Sequence, residues 1–261
     1  MNLGIEGKTA LVLAGAGGLG RAIALSLAEE GANIALADAD ETALAAVLPA
    51  IGTAGTKLMA LPWRLGDLSV IDANIERIER EIGSVDIVVN ITGGPPPTPA
   101  IDQEPGLWRR HFDEMVLSII AVADRVLPAM RQRKWGRIIT STSSGVIAPI
   151  PNLAISNALR LALVGWSKSL AREIAAEGVT ANIVVPGRIS TGRIRFLDEE
   201  KARREGKAVA EIMAASTSAI PMARYGDPDE YAAVVTFLAS QLASYVTGTV
   251  IRVDGGLVAS I

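Results

Sequence analysis

The chain has 261 residues, 49% hydrophobic and 20% charged, enough for a sizeable core within one α/β domain. The net charge is −3 with both signs mixed, so no basic stripe invites nucleic acid and no juxtamembrane cluster invites lipid. With no cysteine and a single histidine, His111, the sequence excludes disulfides, thiol catalysis and Cys- or His-rich metal sites, and no metal is expected.

The first eight residues are polar and glycine-bearing, not a charged segment followed by an apolar one, so no signal peptide is expected. Apolar stretches are about strand length, short of the ~20 residues a membrane helix needs, and a cytoplasmic protein is the expectation. The first predicted strand, Thr9–Leu13, runs into Ala14-Gly15-Ala16-Gly17-Gly18-Leu19-Gly20 and then a helix over 19–30. Glycines at such a strand-to-helix turn let the backbone approach a pyrophosphate, and free N–H groups at the helix start favour that anion. Gly15, Gly17 and Gly20 fit the G-x-G-x-x-G spacing in the context that gives it weight. The second strand, 34–37, ends at Asp38, about 20 residues on. An acid there accepts from a ribose diol and repels a 2′-phosphate, which favours NAD over NADP; the plainer reading is a helix cap.

Further on come a helix over 41–50, a strand over 57–61, a helix over 69–82 and a strand over 87–89 followed by Asn90. A stiff loop with Pro95, Pro96, Pro97 and Pro99 leads into a long helix over 106–131. On that helix the spacing of Trp108, Phe112, Met115 and Ile119 predicts a buried face, with His111 beside it at the surface or behind the site. A strand over 137–140, a helix over 155–177 and a strand over 181–185 follow. Residues 190–225, rich in charge and then in small residues, form the longest insertion, read as a substrate lid at the carboxyl edge of the sheet. Arg193, Arg195, Arg203 and Arg204 within it read as a solvated helix face. A helix over 229–239 and a strand, Val250–Val253, complete the chain. The alternation predicts one α/β domain over 1–261, a doubly wound Rossmann-type parallel sheet of about seven strands with helices on both faces.

Several ordered segments together resemble the short-chain dehydrogenase/reductase superfamily over nearly the whole chain. They are Gly18-Leu19-Gly20-Arg21-Ala22-Ile23-Ala24, Asp86-Ile87-Val88-Val89-Asn90, Gly136-Arg137-Ile138-Ile139, Asn182-Ile183-Val184-Val185-Pro186-Gly187, Tyr245-Val246-Thr247-Gly248 and Val253-Asp254-Gly255-Gly256. The resemblance implies a nicotinamide site that includes Asn90, Gly93, Pro186, Gly187, Ile189 and Thr191, the last at the carboxamide. It also implies a homodimer or homotetramer joined through the helices over 106–131 and 155–177.

Members of that family use an Asn, Ser, Tyr and Lys tetrad, and here the pattern breaks. The serine falls on Ser143, the tyrosine position is Ser156, the lysine position is Arg160 and the asparagine position is Met115. A serine hydroxyl is short and has no accessible pKa near neutrality, arginine stays protonated, and methionine holds no water. Losing a positioned general acid costs ~10²–10⁴-fold in rate. Leu13 and Ala14 replace the family's Thr-Gly, Arg64 stands where an aspartate usually lies near the adenine, and Ile91-Thr92-Gly93 replaces Asn-Ala-Gly. Arg160 lies one turn after Ser156, and Arg188 follows Pro186-Gly187. With Ser143 these predict a clamp for a carboxylate or an oxyanion; the plainer reading has Arg160 on a ribose or an internal carbonyl.

The expected function is an atypical NAD(H)-dependent oxidoreductase acting on a small carbonyl or hydroxy compound, with a carboxylate on the substrate fitting the clamp. A lyase or isomerase working through an enolate, and a catalytically inactive nucleotide-binding protein, are the alternatives.

Overall fold

The computed structural model describes residues 2–52 and 55–261. Seven strands form one parallel sheet: β1 Thr9–Leu13, β2 Asn33–Asp38, β3 Leu58–Pro62, β4 Val85–Asn90, β5 Gly136–Ser141, β6 Val179–Pro186 and β7 Val250–Val253. Their order is β3-β2-β1-β4-β5-β6-β7. β1, β4 and β5 are buried at every residue, as central strands are when helices cover both faces.

One face carries α1 Gly18–Glu29, α2 Glu41–Ile51 and α9 Pro228–Ala239. Leu27, Ile34, Leu36, Leu44, Tyr231 and Val235 join the core on that side. The other face carries α3 Ile71–Glu81, α5 Ser118–Gln132 and α6 Ala154–Ile174, packed through Ile75, Ile78, Val122, Met130, Leu159 and Leu163. The connections run to opposite sides of the sheet between β1 and β4. That reversal opens a crevice beyond the carboxyl ends of the strands.

The long helix expected over 106–131 is not continuous. It consists of α4 Pro105–Phe112, a π-helical turn Asp113–Leu117 and then α5. His111 and Phe112 both precede the wider turn, and positions 108, 111, 115 and 119 share a helix face as readily as 108, 112, 115 and 119. Phe112 is 41% exposed, while His111, Met115 and Ile119 are buried, so the expected stripe is corrected at one position: His111 takes the inner place assigned to Phe112. The segment 190–225 folds into two helices, α7 Gly192–Glu205 and α8 Val209–Ser218.

Candidate functional site

A cleft of about 850 Å³ lies over the carboxyl ends of the strands, within the range of small-molecule and cofactor sites. Its two ends are built from different chemistry.

At the β2 end, Gly17 is the extended N-cap of α1 and offers no side-chain cap, so the first helical N–H groups have no intrahelical partner. Gly17, Gly18, Leu19 and Gly20 line the cleft. Gly15 does not. A Cβ there would run into the Leu36 side chain, so this glycine lets the turn pack closely on β2. Asp38 also lines the cleft. One carboxylate oxygen accepts from the Ala16 N–H at 3.1 Å and the other from the Asp40 N–H at 3.1 Å. The helix cap is instead Asp40, which accepts from the Ala43 N–H at 2.9 Å. Ala14, at the bend between β1 and α1, holds φ of +48°, a left-handed conformation that costs an alanine energy. Opposite, a Cβ on Gly18 would lie 2.8 Å from the Thr191 methyl, so the starts of α1 and α7 meet across the cleft. Uncapped N–H groups, backbone within reach and an acceptor at the end of β2 fit a dinucleotide.

At the β5 and β6 end, Ser143, Ser156, Arg160, Met115, Pro186, Gly187, Arg188, Ile189, Thr191 and Gly93 all line the same cleft. Ser143 Oγ accepts from the Gly145 N–H at 3.1 Å, which fixes the hydroxyl above β5. Ser156 is 6% exposed on α6, and Met115 reaches the wall from the π-helical turn. Arg160, also buried, donates to the carbonyls of Gly93 at 3.0 Å, Thr92 at 3.3 Å and Ser141 at 3.3 Å. It therefore ties the loop after β4 to the end of β5, and the internal-carbonyl reading describes its protein contacts. Burial pushes its pKa down to about 10, with the Arg193 charge adding to the effect, so it stays protonated at neutral pH.

Two residues expected at the site do something else. Asn90 is buried at the end of β4 and donates to Thr140 Oγ1 at 3.0 Å, while Ile91, Thr92 and Gly93 after it line the cleft. Arg188 reaches the wall, but its guanidinium pairs with the Asp198 carboxylate at 3.0 Å, and the other Asp198 oxygen accepts from the Tyr225 hydroxyl at 2.8 Å. This correction turns a presumed free cation into a strap between the β6 exit and α7.

His111 is also not at the surface. It is buried in the cleft wall, with Nδ1 3.0 Å from a Glu114 carboxylate oxygen. Of the four arginines in segment 190–225, Arg193 and the exposed Arg204 line the cleft, while Arg195 and Arg203 are exposed away from it. Among the described residues no tyrosine lines the cleft: Tyr231 is buried behind it, donating to Ser141 Oγ at 2.7 Å, and burial raises its pKa. Glu114 and Arg193 were missed as wall residues. The three-residue spacing from His111 could have signalled Glu114, whereas nothing local marks Arg193.

The family model described as enoyl-(acyl carrier protein) reductase matches residues 13–258. The chain is 35% identical over 257 residues to the 3-oxoacyl-[acyl-carrier-protein] reductase FabG of Escherichia coli (strain K12), covering 98% of this chain and 99% of that one. It is 32% identical over 251 residues to Nodulation protein G of Azospirillum brasilense, covering 96% and 98%. Among solved structures, L-sorbose reductase from Gluconobacter frateurii, complexed with NADPH and L-sorbose, superposes with a TM-score of 0.93 at 27% identity over 100% of both chains. YwfH, an NADPH dependent reductase involved in bacilysin biosynthesis, gives 0.92 at 27% identity over 97% of this chain and 99% of that one. By motif order, sheet topology and these matches, the chain belongs to the short-chain dehydrogenase/reductase superfamily.

Proposed function

We propose that this protein is an NAD(H)-dependent oxidoreductase of the short-chain type, acting on a small carbonyl or hydroxy compound through a non-standard site. The observation that carries the reading is the continuity of one cleft from Asp38 and the uncapped start of α1 to Ser143, Ser156 and Arg160. The nicotinamide cofactor, when bound, supplies hydride. Gly17, Gly18 and Leu19 would hold its pyrophosphate, Asp38 its adenosine ribose, and Gly93, Pro186, Gly187, Ile189 and Thr191 its nicotinamide half. Ser143 and Ser156 hold the reacting oxygen. Arg160 places a fixed positive charge under that oxygen and stabilises the negative charge it gains. Its pKa of about 10 keeps it from giving up a proton at pH 7, and the serines have no acidity to offer. A water or the substrate delivers the proton.

The NADH preference rests on Asp38 and on the absence of any cation from residues 14–20. Two of the similar structures are described with NADPH, so this preference belongs to this chain's own residues. That the relatives are described as reductases favours redox chemistry over an enolate lyase or a non-catalytic nucleotide binder. A homodimer or homotetramer through α5 and α6 belongs to the same proposal, with Leu161 of α6 52% exposed on that face. Titration with NADH and NADPH, followed by nicotinamide fluorescence, tests the reading: tight NADH binding is expected, and no binding of either would overturn it.

A further inference from the structure

Arg160 and Arg193 are set against consecutive stretches of one loop. Arg160 donates to the carbonyls of Thr92 and Gly93, while Arg193, from the first turn of α7, donates to the Pro95 carbonyl at 2.7 Å. The Arg193 guanidinium lies over Gly94, where an added Cβ would come within 2.9 Å of it. Both side chains line the cleft, Arg160 buried and Arg193 half-buried. Among the described residues neither pairs with a carboxylate, and every hydrogen bond they make goes to a neutral carbonyl. The two charges feel each other, since Arg193 helps lower the pKa of Arg160. Asp198, on the same helix as Arg193, is taken by Arg188 and Tyr225, and the Glu114 carboxylate in the cleft wall lies against His111. Lys201 and Arg204 extend the positive wall, and Ile150, Leu153, Leu197 and Leu257 supply an apolar one.

A buried cation beside a half-buried one of like sign, neither with a counter-charge, is stabilised when an anion enters between them. We infer that Arg160 and Arg193 form an anion subsite that takes the carboxylate of an amphiphilic substrate, whose apolar part lies on the Ile150 and Leu153 side. This rests on the oxidoreductase reading above and gives it a substrate class. Arg193 is then a specificity-determining residue: it binds a carboxylate set beside the reacting oxygen, so that Arg160 serves both groups. The only other anion that reaches this cleft under that reading is the cofactor's pyrophosphate.

The test compares hexanoate with hexanamide, which share a chain and differ in charge, by calorimetric titration at constant ionic strength with and without saturating NADH. Hexanoate should bind about tenfold or more tighter than hexanamide, the worth of one charge-assisted hydrogen bond. Arg193→Gln should abolish that discrimination, Arg193→Lys should restore part of it, and NADH affinity should change less than twofold in both. Equal binding of the two probes by the unaltered protein overturns the inference without any variant. So does an Arg193→Gln protein that keeps its discrimination but loses NADH affinity, because the anion is then the cofactor's phosphate. Failure to bind NADH with carboxylate discrimination intact sinks the oxidoreductase reading alone.

Discussion

Replacing Asp38 by asparagine keeps the shape of the β2 terminus and removes its charge. The amide oxygen can still accept from the Ala16 N–H, whereas the NH₂ group turned toward Asp40 N–H loses the second contact of 3.1 Å. A ribose diol donating to a charged acceptor gains about 1.5–3 kcal/mol, so NADH binding should weaken about 10- to 150-fold. A 2′-phosphate some 4 Å from the carboxylate is opposed by ~1–4 kcal/mol per unit charge for effective dielectrics between bulk water and a protein surface. Removing that repulsion should tighten NADPH by about tenfold or more. Arg64, which lines the same end of the cleft next to Trp63, supplies a cation for the phosphate once the acid is gone; the Trp63 N–H already donates to the Asp38 carbonyl at 2.8 Å. Fluorescence titration of both cofactors against both proteins measures the ratio. An unaltered protein that binds NADPH as tightly as NADH, or a ratio that Asp38→Asn leaves unchanged, refutes the reasoning.

Ala14→Gly should raise stability by ~0.5–1 kcal/mol, since relief of the left-handed strain at φ +48° exceeds the added entropy of the unfolded chain. For a chain of this size that is roughly 1–3 °C in Tm by calorimetry, and a lower Tm would contradict the strain argument. The Arg224 guanidinium, aided by the Asp227 backbone N–H, pulls the Glu230 carboxyl down from 4.5 to about 2. Its folded pKa is depressed, so its stabilising effect is present above pH 4.5 and is lost as pH falls toward 2. The stability difference between the unaltered protein and Glu230→Gln should therefore shrink across that window, and a difference constant with pH would refute the assignment.

The sheet was readable because Ala10–Leu13 of β1 and Ile87–Val89 of β4 are continuous apolar runs, a pattern that burial on both faces demands. The glycine turn and Asp38 were readable because their spacing is local. The π-helical turn at Asp113–Leu117 was not, since a helical period counted from Trp108 gives no sign of one wider turn, and the same period lets either His111 or Phe112 face inward. The strap from Arg188 to Asp198 and Tyr225 joins three segments whose approach depends on how α7 folds back over the cleft, which no spacing encodes. Gly15 and Asn90 make contacts that their motifs do not spell out. Both sit within motifs associated with cofactor, yet one packs on Leu36 and the other bonds Thr140 within the sheet.

The claim at the centre of this account is that a dinucleotide cradle stands beside a site with no phenol to move a proton. The direct measurement is NADH oxidation on a panel of neutral ketones by the unaltered protein and by the Ser156→Tyr, Arg160→Lys double variant. The account predicts negligible turnover by the first and a gain of ~10²–10⁴-fold in the second, the contribution of a positioned general acid. Rapid turnover of several unrelated ketones by the unaltered protein would contradict it.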